Sequence, residues 1–328
     1  MELTLSQLRS ITLGALDISR EGDAFFFHRM SEQQADAFTR QSPELGPRAS
    51  APSGIRLDFF TDATEVAMRY RLGPHISDRA YFGMDALVNG TLTAHEGALS
   101  YTDGQEGTLH VHLDGKENHV QIFLSAVTPI SVLSVTVTDG AFLRPYKPRR
   151  RILMYGDSIT QGYDAYYPSA CYANRLAMYY DAEIINQAIG GACFDAATLA
   201  HAGDGFDFIT VAYGTNDWRK REGAVIEPYA DGFMGRLKEL YPDTPVFVIL
   251  PLWRSDFLDT YRAGDFRVCR ALIGRLAAKH GFHVIDDFDM VPHDKRYFWD
   301  ARLHPNEYGF FLYAQRLSEL INEKLALM

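Results

Sequence analysis

Arg150-Arg151-Ile152-Leu153-Met154-Tyr155-Gly156-Asp157-Ser158-Ile159-Thr160-Gln161-Gly162 is the stretch on which the reading of this chain turns. Two basic residues lead into a short, unbroken apolar run, and the run stops at Gly-Asp-Ser. Such a run suits a strand buried on both faces, as in a parallel sheet. Gly156 allows a sharp turn, and Asp157 or Ser158 is suited to start a helix. Together they place the Ser158 hydroxyl at the carboxyl end of a central strand, where open α/β sheets bind ligands. Ser158 is equally suited to be no more than a helix N-cap, so the rest of the chain has to decide between the two.

Downstream the pattern alternates between strands and amphipathic helices. Strands are expected at Ile152–Tyr155, Glu183–Ile185, Phe208–Tyr213, Val246–Leu250 and His283–Ile285. Helices are expected at Tyr229–Leu240, Phe266–His280 and Asn306–Leu325, with Pro305 placed for a first helical position. This order implies a parallel sheet covered on both faces. Upstream the period changes to two. Ile55–Phe59, Val66–Leu72, Leu109–Leu113, Val120–Leu124 and Val132–Val137 alternate apolar and polar residues, with turn signals at Asp114-Gly115 and Asp139-Gly140. A sandwich or jelly roll is expected there, its helical content confined to Ser31–Arg40. Arg144-Pro145-Tyr146-Lys147-Pro148-Arg149 reads as a stiff exposed linker, which gives a β domain over 1–146 and an α/β domain over 147–328.

Three more clusters fall after strands or at a helix entrance in the second half. They are Asn186-Gln187-Ala188-Ile189-Gly190-Gly191, Gly214-Thr215-Asn216-Asp217, and Asp300-Ala301-Arg302-Leu303-His304-Pro305-Asn306. Taken singly they are a turn, a cap and a structural histidine. Gathered at one edge of a sheet they supply a serine, a histidine near an aspartate, a flexible glycine and an amide, which is what acyl transfer needs.

The order Gly156-Asp157-Ser158-Ile159, Gly191, Gly214-Thr215-Asn216-Asp217, His304-Pro305-Asn306 resembles the SGNH (GDSL-type) hydrolases from about Arg150 to the C-terminus. The resemblance implies a flavodoxin-like three-layer α/β/α domain and an esterase or lipase activity with no metal or cofactor. By position, Ser158 would be the nucleophile and His304 the base. The oxyanion hole would be the N–H groups of Ser158 and Gly191 with the Asn216 side chain. The family usually places its acid three residues before the histidine, where this chain has Ala301. Asp300, four before, is expected to serve through a loop one residue longer, with Asp286, Asp287 or a backbone carbonyl as alternatives. The preceding β domain fits a subset of such proteins that includes carbohydrate esterases and acyltransferases. The Gly-x-Ser-x-Gly elbow of α/β-hydrolases is absent.

Composition agrees with an ordinary globular protein of 328 residues, 47% hydrophobic and 23% charged. A net charge of -10 disfavours nucleic acid or an anionic membrane as partner. Cys171, Cys193 and Cys269 have neither zinc nor disulfide spacing. The first residues lack a signal-peptide pattern, so a cytoplasmic location is expected. His110, His112 and His119 read as a solvated strand face rather than a metal site, with His119 across a hairpin from the other two. Asp157, Tyr163, Trp218 and Trp253 are candidates to line the substrate site, among aromatics that include Tyr166, Tyr167 and Trp299. The expected activity is hydrolysis of small acyl esters, acetyl above all, on a small molecule or oligosaccharide. Acyl transfer through the same acyl-serine, and carbohydrate binding on a non-catalytic scaffold, are the alternatives. The chain is compatible with a homo-oligomer.

Overall fold

The computed structural model describes residues 1–327. The first half forms two antiparallel sheets. One orders β1 (Thr12–Leu13), β4 (Arg56–Thr61), β9 (Asn118–Phe123), β6 (Phe82–Val88) and β7 (Thr91–Ala98), with β11 (Arg144–Pro145) also paired to β4. The other orders β2 (Asp17–Glu21), β3 (Ala24–His28), β10 (Ile130–Val137), β5 (Glu65–Leu72) and β8 (Glu106–His112). Alternate residues of both, among them Leu57, Phe59, Met68, Val111, Ile122 and Val135, meet in one buried core. Apolar residues at period two face inward because successive side chains of a strand point to opposite faces.

The second half is a five-stranded parallel sheet. Its strands are β12 (Arg150–Gly156), β13 (Ala182–Asn186), β14 (Phe208–Ala212), β15 (Val246–Ile249) and β16 (His283–Ile285), in the order β13-β12-β14-β15-β16. This is the 2-1-3-4-5 order of doubly wound sheets, with β12 interior between β13 and β14 and the switch point beside it. Leu153 and Tyr155 pack on one side with α6 (Gly223–Leu240) and α7 (Phe266–Lys279). Ile152 and Met154 pack on the other with α4 (Tyr172–Tyr179) and α8 (Glu307–Leu325). The continuous apolar run of β12 is thus explained by burial on both faces.

Four local expectations need correction. The first half has a second helix, α1 (Leu5–Ile11), started by a capping box of Thr4 and Gln7, besides α2 (Glu32–Gln41), which Ser31 and Gln34 cap in the same way. Strands β8 and β9 lie in different sheets, so Asp114-Gly115 is an arch between sheets; exposed His110 pairs with Glu65 while His119 pairs with buried Asp58. The Arg144–Arg149 segment is partly stitched down: Arg144 and Pro145 pair with Phe60 and Phe59, and the Tyr146 N–H donates to Asp58 O at 3.1 Å. Pro305 precedes the cap, since Asn306 caps α8 by accepting from the Gly309 N–H.

The two halves share buried polar joints. Arg29, wholly buried in the first half, donates to the carbonyls of Ala51, Arg48, Asn186 and Ala188. Gln34 donates to Gln187, and Arg56 to Ala182 O. Met30, Phe38 and Leu45, on and beside α2, join the same apolar cluster as Leu153 and Tyr155.

Candidate active site

Strand β12 ends at Gly156, where an added Cβ would lie 2.2 Å from Thr160 Oγ1 and 3.0 Å from Ala212 O, so no side chain fits. Asp157 caps the single-turn helix α3 (Ser158–Gln161) by accepting from the Ile159 N–H at 3.1 Å. Ser158 therefore stands at the first position of a helix, at the end of an interior strand, second in the sheet rather than its centre. Its Oγ is 2.8 Å from His304 Nε2, and only 5% of Ser158 and 7% of His304 is exposed.

On the far side of the imidazole, Nδ1 is 2.8 Å from Asp300 Oδ2. A carboxylate only accepts hydrogen bonds, so Nδ1 carries the proton and Nε2 offers its lone pair to the serine. Asp300 Oδ1 accepts the N–H groups of Arg302, Leu303 and His304 at 2.9, 2.7 and 3.1 Å. The extra residue of this loop, Ala301, takes φ +54°, which folds the chain back so that Asp300 reaches the histidine. Burial would raise the Asp300 pKa, but the bonds from His304 and the backbone outweigh it and hold the carboxyl well below its usual range. Asp286 and Asp287 are engaged elsewhere, with Arg270 and Arg316.

The loops after β13 and β14 flank this arrangement, since those strands are the neighbours of β12. The β13 loop is tied to the serine loop by Ile189 N–H to Gly156 O at 3.0 Å and Gly190 N–H to Gln161 Oε1 at 2.7 Å. Gly191 has φ +84°, and a Cβ there would come within 2.9 Å of the Arg48 guanidinium. Asn216, in the first turn of α5 (Thr215–Lys220), donates one amide hydrogen to Ala192 O at 3.1 Å, which leaves the other free to be aimed.

Three substrate-lining candidates fall elsewhere. Trp218 is fully buried, its indole N–H on Gly264 O and its ring packed on Phe266 and Tyr261. Trp253 is in the core against Phe298 and His293. Asp157 turns inward onto a cavity of about 20 Å³ with Tyr213 and Tyr313, and burial pushes it up to about 6. Tyr163 does lie at the site, its ring 6.0 Å from that of His304, though it is buried. The aromatic left most open is Trp299, 48% exposed, whose backbone N–H donates to His304 O and whose ring neighbours Tyr81 at 6.4 Å. A cavity of about 320 Å³ adjoins Gly191, lined by Gln41, Ser42, Glu44, Cys193, Lys220 and Arg221 among others.

Sequence reasoning missed two residues entirely. Asp164 Oδ2 lies 3.2 Å from His304 Nδ1, and Arg79, from the first half, pairs with Asp164 and approaches Nδ1 to 3.3 Å. Asp164, Asp300 and His304 could be grouped as metal ligands by distance alone. Nδ1 is already committed to a carboxylate, however, and the Arg79 guanidinium supplies the positive charge that such a cluster would otherwise seek from an ion. No signal in the sequence marks Arg79; Asp164 follows Ser158 closely, but so do many residues.

Fold and site together define a carboxylic ester hydrolase built on an open α/β sheet. Residues 154–310 match the GDSL-like Lipase/Acylhydrolase family, so the parallel-sheet half carries a domain of that type. No curated protein matches the chain. Among solved structures it is similar to the salicylyl-acyltransferase SsfX3 of a tetracycline biosynthetic pathway, at 20% identity and TM-score 0.76, over 93% of this chain and 91% of that one. A putative GDSL-like lipase from Bacteroides ovatus aligns at 18% identity and TM-score 0.75, over 99% and 98%. A family two carbohydrate esterase from Cellvibrio japonicus aligns at 15% and 0.67, over 97% and 96%. At these identities the likeness is one of fold, here a fold shared by both halves. Among the described residues no helix is long and apolar enough to cross a membrane.

Proposed function

We propose that this protein is a serine esterase that removes small acyl groups, acetyl foremost, from a hydroxylated substrate of carbohydrate type. The observation that carries the reading is the chain Ser158 Oγ, His304 Nε2, His304 Nδ1, Asp300 Oδ2, with both contacts at 2.8 Å. Ser158 Oγ attacks the ester carbonyl while its proton passes to Nε2. The oxyanion is met by the N–H groups of Ser158 and Gly191 and by the free amide hydrogen of Asn216. Collapse of the tetrahedral intermediate breaks the carbon–alkoxide bond, and the leaving oxygen takes the proton from Nε2. Water then attacks the acyl-serine by the same steps and releases the acid. Asp300 holds the imidazole in the required tautomer and offsets the charge it gains.

The near-complete burial of Ser158 favours a short acyl group, and exposed Trp299 offers an apolar face for a sugar ring. The same acyl-serine can pass its acyl group to an alcohol, and the full-length likeness in fold to an acyltransferase supports testing transfer as well. The test is turnover of p-nitrophenyl acetate and its longer homologues by wild type and Ser158→Ala, with a fluorophosphonate probe and product analysis in the presence of an added alcohol. Turnover that falls with chain length and disappears in the variant is expected. Folded wild type that neither turns over nor labels at Ser158 would instead indicate a binding protein on this scaffold.

A further inference from the structure

We propose that Asp164, held by Arg79 from the antiparallel half of the chain, forms a second orienting arm for His304, a second carboxylate beside the Nδ1–H that Asp300 accepts. The inference rests on the reading of His304 as the base. Asp300 Oδ2 and Asp164 Oδ2 lie 2.8 and 3.2 Å from the same Nδ1, and Asp164 is 1% exposed. Two carboxylates converging on one N–H repel each other unless a cation is near. Arg79 is that cation. Its Nε is 2.9 Å from Asp164 Oδ1 and its Nη2 2.6 Å from Oδ2, the paired geometry in which guanidinium binds carboxylate.

The arm is built in place. Asp164 has φ +67°, a conformation a non-glycine residue keeps only when its surroundings impose it. Its backbone N–H donates to Tyr81 Oη at 2.8 Å, and the Tyr81 ring packs with Ala126, Val127 and Tyr163. Arg79-Ala80-Tyr81, which runs into β6, therefore grips Asp164 by an ion pair on its side chain and a hydrogen bond on its backbone. The Arg79 guanidinium also lies 5.3 Å from the centre of the Tyr163 ring and pairs with Asp78.

The charges around His304 fix the sign of the effect. Asp300 comes from its own loop, Asp164 from the loop after α3, Arg79 and Asp78 from the loop before β6, and Asp157 stands behind Ser158. Ser158 and Tyr163 complete the set. Asp164 favours the imidazolium, and Arg79, 3.3 Å from Nδ1, opposes it. Removing either one alone leaves the other uncompensated, so the two deletions shift the base in opposite directions.

The experiment is the pH dependence of kcat/KM on p-nitrophenyl acetate for the full chain, with thermal melting of each variant. Asp164→Asn should move the acid limb down by about one pH unit and Arg79→Gln should move it up by about as much. Arg79→Lys, which keeps the charge, should restore it towards wild type. The Asp164→Asn/Asp300→Asn double variant should lose more than the product of the single losses, because each carboxylate covers for the other. Acid limbs that stay in place, or move the same way in both variants, would overturn the proposal, and the Arg79 variants read this out even where Asp164→Asn fails to fold. Ser158→Ala and His304→Ala are the controls on the underlying reading. If they are inactive and the limbs do not move, only the second arm falls; if His304→Ala keeps wild-type turnover, the base assignment falls.

Discussion

Replacing Arg29 by methionine should weaken the fold and the esterase together. Arg29 is fully buried and has no carboxylate partner; Ala51 O, Asn186 O, Ala188 O and Arg48 O accept from it at 2.8, 2.8, 2.7 and 3.1 Å. Burial disfavours its charge and pulls its pKa down from the ordinary arginine value. Methionine fills similar volume and relieves that desolvation; Ala51 O and Arg48 O keep the backbone N–H groups of Ser53 and Ala51 as donors, so the loss falls on Asn186 O and Ala188 O, and an unpaired buried acceptor costs about 1–3 kcal/mol. With the relief set against those losses, the net destabilisation should be about 3–5 kcal/mol, the usual result of removing one side of a buried charged network. Two of the four carbonyls belong to the segment that leads to Gly190-Gly191, so kcat on p-nitrophenyl acetate should also fall, by about tenfold for one loosened oxyanion donor, which is less than the loss from deleting one. Arg29→Lys keeps the charge with fewer reachable donors and should fall between. Urea unfolding followed by circular dichroism, together with kcat and KM, checks both effects. A methionine variant within about 1 kcal/mol of wild type and equally active would show that the four bonds only balance the cost of burying the guanidinium, and that they do not position the glycine loop.

Three further outcomes follow from the site. Asp300→Asn should lower kcat about 10²-fold, less than the about 10⁴-fold typical where a triad acid has no second carboxylate beside it; asparagine still accepts the loop N–H bonds but lacks the charge the native state favours, so melting at pH 7 should also fall, and an unchanged rate would remove Asp300 from the site. Asn216→Ala should lower kcat by about 10²–10³ with KM nearly constant, because the donor acts on the oxyanion and not on the ground-state ester; a change confined to KM would contradict its role. Asp157→Asn should raise stability at pH 8 but not at pH 4, as read by melting. Burial lifts the Asp157 pKa from 3.8 to about 6, so the native state prefers the protonated form and wild type loses stability as pH rises through that window. The full effect is at most about 3 kcal/mol, and a pH-independent difference would count against it.

The positions of the parallel strands were legible in the sequence because burial on both faces leaves an unbroken apolar run, as in Ile152–Tyr155. The four blocks that gather at one edge of the sheet were legible because strand ends and helix starts have local chemistry: a glycine to turn, and an aspartate, asparagine or serine to cap. Asp300 was legible only as one acceptor among several, and φ +54° at Ala301 is what lets the longer loop reach His304.

What only the tertiary structure decided concerns direction and distance in space. Trp218 and Trp253 sit near site residues in sequence but point into the core, since adjacent residues of a helix or loop face different ways and sequence proximity does not say which. Strands β8 and β9, joined by a hairpin-like Asp-Gly, separate into different sheets because each buries its apolar face better against a partner distant in sequence. Arg79 carries no local signature at all. It lies 85 residues from Asp164 and 225 from His304 along the chain. An ion pair of that separation forms only because the antiparallel half is packed onto the end of the parallel sheet. The amino-acid sequence determines which groups can do the chemistry; the packing of the two halves determines which charges stand beside them.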